Sequence, residues 1–288
     1  MSFAASPSRQ RNWDARAAAN FVCGGAGGGL IVFAVVAVVA GVSRLALALP
    51  LLAGLALIGT GLLCVWHELG RPLRALHVFF HPHTSWMTRE AYVAVMLFPC
   101  GVAAAAGVPV FAWVAAALGF AFVFCQGRML HAARGIPSWR HALVAPLLVV
   151  TGLAEGAGLW LVAAAWLRIG SQTLLTLFGA LVLLRIVIWL GYRRAMATQA
   201  PRAHAALDRT SRVLQLAGTL LPLAVVALVA VGLVSGTATL AVVAIAGLAA
   251  AASGAHMKFT LVTQAGFTQG AALVRLPVRG VRPAPIAE

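Results

Sequence analysis

Long apolar runs alternate with short polar stretches along this chain. Eight of the runs approach or reach the roughly 20 mostly apolar residues that a membrane-crossing helix needs. They lie at about 18–42, 46–66, 90–108, 110–131, 142–167, 171–193, 213–235 and 237–256. Each is apolar on every side, as from Val32 to Val39, where a barrel strand would alternate apolar and polar residues. The pattern therefore predicts an all-α, polytopic integral membrane protein with eight transmembrane helices. It divides the chain into a polar N-terminal segment (1–17), an eight-helix domain (18–256) and a C-terminal tail (257–288). The longest polar connections fall at about 67–89, 132–141 and 194–212. The first run is too long for a signal-peptide core and lacks a cleavage pattern, so it is expected to remain in the mature chain.

Composition agrees and removes other classes. Hydrophobic residues make up 62% of the 288 positions and charged residues only 9%, against about a quarter in soluble domains. A soluble core cannot absorb that excess, and disorder requires the opposite balance. The net charge of +15, carried by 20 arginines and Lys258, could suggest nucleic acid. Its placement points to a lipid bilayer instead, with no nucleic-acid partner. With eight spans, both ends of the chain and the second-to-third, fourth-to-fifth and sixth-to-seventh connections share one side. That side holds 18 of the 21 cations, Lys258 among them, while Arg44 and Arg168 lie opposite and Arg185 falls within the sixth span. By the positive-inside rule both termini face the cytoplasm.

Metal chemistry finds little footing. Cys23, Cys64, Cys100 and Cys125 lie singly in apolar stretches, without the C-x-x-C spacing of zinc or iron–sulfur sites. His67, His77, His81, His83, His131, His141, His204 and His256 sit at span ends or in connections. No haem or iron–sulfur cluster is expected in this chain, although a haem b between His67 and His131 or His256 is the alternative that placement leaves open.

The richest stretch is Trp66 to Glu90, WHELGRPLRALHVFFHPHTSWMTRE. Glu68 and Arg71 are helix neighbours that can pair, and Gly70 and Pro72 end the second span. Leu73 to Phe80 can form a short interfacial helix, and Trp86 is a further interfacial anchor. Ser85 or Thr88 can cap the third span, with Glu90 near its positive end.

The run LGRP-x-RA at Leu69–Ala75, followed by SWMTREA at Ser85–Ala91, resembles the membrane-anchor subunits of molybdenum oxidoreductases. These are the dimethyl sulfoxide reductase anchors and the related polysulfide reductase (NrfD-like) family. Arg134-Gly135-Ile136-Pro137-x-Trp139, and Asn12-Trp13-Asp14 before a glycine-rich first span, resemble the sulfoxide reductase branch. Within the family the sequence looks most like the anchors of phenylacetyl-CoA:acceptor oxidoreductases. The resemblance implies a bacterial inner-membrane subunit that binds menaquinone or ubiquinone near the bilayer surface. Its implied partners are a ferredoxin-like iron–sulfur subunit and a molybdopterin catalytic subunit. Family anchors often carry a histidine directly before the LG; here that position is Glu68, and His67 stands one residue earlier, turned by about 100°. Glu90 matches the family's acidic residue without a shift. The expected quinone-bordering residues are His67, Glu68, Arg71, Arg89 and Glu90, with Trp86 and His131 assisting.

Two charges lie inside the spans. Glu155 and Arg185 are about 13 and 8 residues from the cytoplasmic ends of their helices, roughly 7 Å apart in depth. They are expected to form an ion pair or a water-linked contact, because isolated charge in a bilayer is costly. Gly24/Gly28 and Gly25/Gly29 are small-xxx-small pairs that let helices approach closely. The charges keep a second class in view, an ion-coupled secondary transporter, against which no inverted repeat is visible. An alkaline phosphatase fusion in the sixth-to-seventh connection is expected to be inactive in cells. Activity there would overturn the topology.

Overall fold

The computed structural model describes residues 7–68 and 72–269. Its described residues are helical throughout apart from turns and one isolated bridge. The long helices are α1 (Ala15–Val39), α2 (Ala48–Glu68), α3 (Trp86–Ala105), α4 (Pro109–His131), α5 (Val144–Trp166) and α6 (Gln172–Gln199). Two short helices follow, α7 (Pro201–Ala206) and α8 (Asp208–Gln215). A π-helical turn over Leu216–Leu220 joins α8 to α9 (Leu221–Ala230), and α10 spans Thr237–Thr263. Among the described residues, seven helices are long and apolar enough to cross a membrane, counting α8 to α9 as one, so the chain is a multi-pass membrane protein. The helix outside that seven is α3, whose first turns carry Arg89 and Glu90.

The expected spans match these helices to within about four residues except for the last three, the seventh lying five residues too far along at both ends against Asp208–Ala230. Helix α6 runs on to Gln199, past Arg193 and Arg194, and α10 runs on to Thr263, past Lys258. An apolar window stops at the first cation, whereas a helix continues if the charge reaches water or a partner. Lys258 was expected on the cytoplasmic face; it is instead 1% exposed, inside the bundle. The tail expected from residue 257 therefore begins as helix.

Helices α1 and α5 form the centre, with 67% and 78% of their apolar windows buried against 28–44% in the other five. Helix α1 packs on α2, α4, α5 and α10. Its glycines explain how one helix meets four neighbours. Gly27 faces Gly54 of α2, Gly28 faces Gly119 of α4, and Gly29 lies against the Gly152 carbonyl of α5. Both expected small-residue pairs are used, on different sides of the helix: Gly24 and Gly28 toward α4, Gly25 and Gly29 toward α10 and α5. Without a strong hydrophobic force between helices in lipid, such backbone approach supplies much of the packing attraction.

One end of the bundle is tied by polar bonds between distant segments. Gln10 N donates to Gly266 O at 2.8 Å and Thr268 N to Ser8 O at 2.8 Å. From the connection after α4, Ser138 Oγ donates to Ala265 O (2.8 Å) and Trp139 Nε1 to Leu261 O (2.9 Å). Tyr192 of α6 donates to Ser138 O at 3.0 Å. The segments before α1, after α4 and after α10 thus share one end.

A Cβ on Gly29 would overlap the Gly152 backbone, so Gly29→Val should cost about 1–3 kcal/mol or more. Gly170→Val, at a site with open space, should cost far less. Thermal unfolding of the two variants in detergent compares them, and equal losses would contradict this packing.

Candidate functional site

At the junction of α1, α2 and α3 lies a cavity of about 440 Å³, inside the size range of small-molecule sites. Its walls are mostly apolar and aromatic: Trp13 and Phe21 from the start of the chain, Trp66 from α2, Met87 from α3 and Met129 from α4. Glu68, His77, Glu90 and Asn20 bring polar groups to it.

Local bonding builds the roof. Ser85 caps α3 by accepting from Thr88 N (3.3 Å). The 3-10 helix Pro72–Phe80 then lies over the end of α2 and is fastened to the first turns of α3. Thr88 Oγ1 donates to Val78 O (2.5 Å) and Tyr92 OH to Phe79 O (3.1 Å). Arg89 donates to Pro82 O and His83 O, both at 2.8 Å. The expected interfacial helix is therefore present in 3-10 form. Trp13 forms the opposite wall, stacked on Trp139 at 5.1 Å and tilted on Phe21 at 5.6 Å.

Glu90 is the buried acid of the site, 3% exposed. Its Oε1 accepts from Asn20 Nδ2 at 3.3 Å, and the Gln126 amide stands beside it. Gln126 in turn donates to Asn20 O at 2.9 Å. Asn20 and Gln126 were not among the expected residues; their signal was a polar amide inside an apolar span.

The seven expected residues divide. Glu68 and Glu90 line the cavity. His67 turns outward and its Nδ1 bonds Leu63 O at 2.7 Å, as its one-residue offset from Glu68 demands. Arg89 is spent on the connection before α3, and Trp86 stacks under Arg89 and Arg128 at 4.2 and 5.1 Å. His131 sits at the end of α4 near His141; burial and that neighbour push the His141 imidazole below its usual range. These four support the site from outside rather than line it. Arg71 lies outside the described residues. In place of His67, the imidazole of the site is His77.

The intramembrane charges pair differently from expectation. Glu155 Oε2 binds Lys258 Nζ at 2.5 Å, with both side chains 1% exposed. Lys258 also donates to Phe21 O (2.7 Å) and Val22 O (3.3 Å) of α1. Arg185 donates to Ala250 O at 2.9 Å and to Gly218 O in the π-helical turn, and among the described residues no carboxylate bonds it directly. The expected Glu155–Arg185 pair is thus replaced by Glu155–Lys258, because depth along two helices does not specify which third helix stands between them.

Among the described residues, no three His, Cys, Asp or Glu side chains converge in a metal-holding group. His256 bonds Thr210 through Nε2 at 3.2 Å. A quinone fits the cavity better than a metal: the walls are apolar and aromatic, and the polar groups are spaced around them. Neither family models nor curated proteins match the chain.

Glu155→Gln should destabilise the fold by about 3–5 kcal/mol, since it leaves the Lys258 ammonium buried without its counter-charge. Adding Lys258→Met should recover most of that loss, read by unfolding in mixed micelles. Equal losses in the single and double variants would contradict the pairing.

Proposed function

We propose that this protein is the membrane-anchor, quinone-binding subunit of a multi-subunit molybdenum and iron–sulfur oxidoreductase. In this reading it passes electrons between menaquinone or ubiquinone and a ferredoxin-like iron–sulfur subunit, which serves a molybdopterin catalytic subunit. Helix α3 is the eighth span, both termini are cytoplasmic, and the membrane is a bacterial inner membrane. The observation that carries the reading is the apolar cavity between the end of α2 and the SWMTRE segment, with Glu68 and Glu90 on its wall.

A bound quinone supplies two-electron, two-proton chemistry. The chain's part is to hold the head group and handle protons. Trp13, Phe21 and Trp66 offer flat apolar surface for a ring, and His77 can serve a carbonyl. Glu90, held by Asn20, which Gln126 in turn holds, can give or take a proton at its carboxyl oxygens. Glu68, at the end of α2, is placed between the cavity and the bundle surface.

The buried Glu155, Lys258 and Arg185 favour a second reading, an ion-coupled transporter with a midplane site. Binding experiments separate the two. Purified protein in nanodiscs should bind a hydroxyquinoline N-oxide quinone analogue with quenching of tryptophan fluorescence. Glu90→Gln should weaken that binding at least about tenfold, or roughly 1.4 kcal/mol, while leaving thermal stability near that of the unaltered protein. Unchanged affinity would sink the role of Glu90.

A further inference from the structure

Away from the cavity, two cations converge on one aromatic ring. Trp86 opens α3, Arg89 lies in the first turn of that helix, and Arg128 lies one turn inside the end of α4. The guanidinium carbon of Arg89 stands 4.2 Å from the centre of the Trp86 ring, and that of Arg128 stands 5.1 Å from it. All three side chains are partly exposed. Both distances end on the same ring, so one phosphodiester can reach both guanidiniums with small side-chain movement. Each contact is attractive by itself, because an indole face draws a cation. Together they hold two like charges near each other, which is costly unless an anion joins them.

Among the described residues, the chain does not supply that anion. Neither arginine takes part in an ion pair. Glu90, next to Arg89 in the sequence, turns inward to Asn20. Arg89 is held by the carbonyls of Pro82 and His83, which carry no net charge. Arg128 has the ring contact and no hydrogen-bond acceptor, although a guanidinium offers five donors.

The surface beside the arginines indicates what kind of anion fits. Phe124 stands edge-on to Trp86 at 5.8 Å. Phe124 and Phe120, one and two turns before Arg128 on α4, are both exposed. Helix α4 is long and apolar enough to cross a membrane, so this aromatic face meets acyl chains and its Arg128 end lies near the bilayer surface. Such a face gives a lipid tail its place and offers nothing to a free phosphate or an acidic protein. The positive end of α3 adds to the attraction for a phosphate.

We propose that Trp86, Arg89 and Arg128 form a headgroup site for an anionic phospholipid. Its phosphodiester lies between the two guanidiniums, and an acyl chain runs along Phe124 and Phe120. Two cations favour a lipid of net negative charge over a zwitterionic one, whose ammonium cancels its phosphate. None of the three residues lines the cavity, so the inference does not depend on what the cavity binds.

Native mass spectrometry of the full chain, released from detergent with phosphatidylglycerol or phosphatidylcholine, tests this. The first phosphatidylglycerol should bind at least about tenfold more tightly than the first phosphatidylcholine. Arg128→Gln should weaken phosphatidylglycerol binding about fivefold. It should leave thermal stability and phosphatidylcholine binding near those of the unaltered protein, since Arg128 has no hydrogen bond to lose. Arg128→Lys should keep most of the preference, and Arg209→Gln, at an exposed position on α8, should keep all of it. Equal affinity for the two lipids, or an undiminished preference in Arg128→Gln, would overturn the proposal. So would full displacement of phosphatidylglycerol by millimolar inorganic phosphate, which would make this a free-anion site. Binding of polyglutamate that Arg128→Gln abolishes, with phosphatidylglycerol binding untouched, would overturn it in favour of an acidic protein.

Discussion

Charge buried at the centre of an apolar bundle must be satisfied, and much of the helix arrangement follows from doing so. The Glu155–Lys258 pair needs α5 and α10 side by side, and the remaining hydrogens of Lys258 need the carbonyls of Phe21 and Val22. Those carbonyls come within reach because α1 carries glycine where α4, α5 and α10 press on it. Arg185 has a different solution. The Gly218 carbonyl stands four residues before Pro222, whose ring nitrogen carries no hydrogen, so it is open to the Arg185 guanidinium. Removal of either device would leave a buried cation short of an acceptor, a cost of about 1–3 kcal/mol.

The same arrangement couples the centre of the bundle to one of its ends. Helix α1 is shared: Asn20 and Phe21 face the cavity, and Gly25 faces Lys258 one turn further in. The ties among residues 8–10, 138–139 and 261–268 hold that end of α1 in register with α10. A ligand in the cavity would therefore meet walls set by the packing rather than by a loose surface loop. The wall built from a connection, Pro72–Phe80, is bonded to α3 at two points.

Much of this was legible in the residue pattern. Uninterrupted apolar runs located the helices to within a few residues, because backbone hydrogen bonds in lipid leave no other structure for them. The Trp66–Glu90 stretch was legible as a site for the opposite reason, a concentration of polar and aromatic groups at a span end. Glu68 and Glu90 do line one cavity. What the pattern could not carry was which helix stands beside which. Lys258 falls outside an apolar window and so reads as a surface cation, and depth alone matches Glu155 to Arg185. Asn20 and Gln126 were passed over because a single amide in an apolar run looks incidental until its neighbour across the helix interface is known. His67, Trp86, Arg89 and His131 share the right end of the bundle, but their side chains leave the cavity by their helical phase or by capture in nearby contacts.

The central claim is that the cavity between α1, α2 and α3 receives a quinone head group. Photolabelling with an azidoquinone, followed by mass spectrometry of the cleaved protein, tests it directly. The account predicts label on the segments Trp13–Phe21 and Trp66–Ala91, suppressed by excess unlabelled quinone. Label confined to α5, α6 or α10, or spread over lipid-facing positions and insensitive to competition, would contradict it.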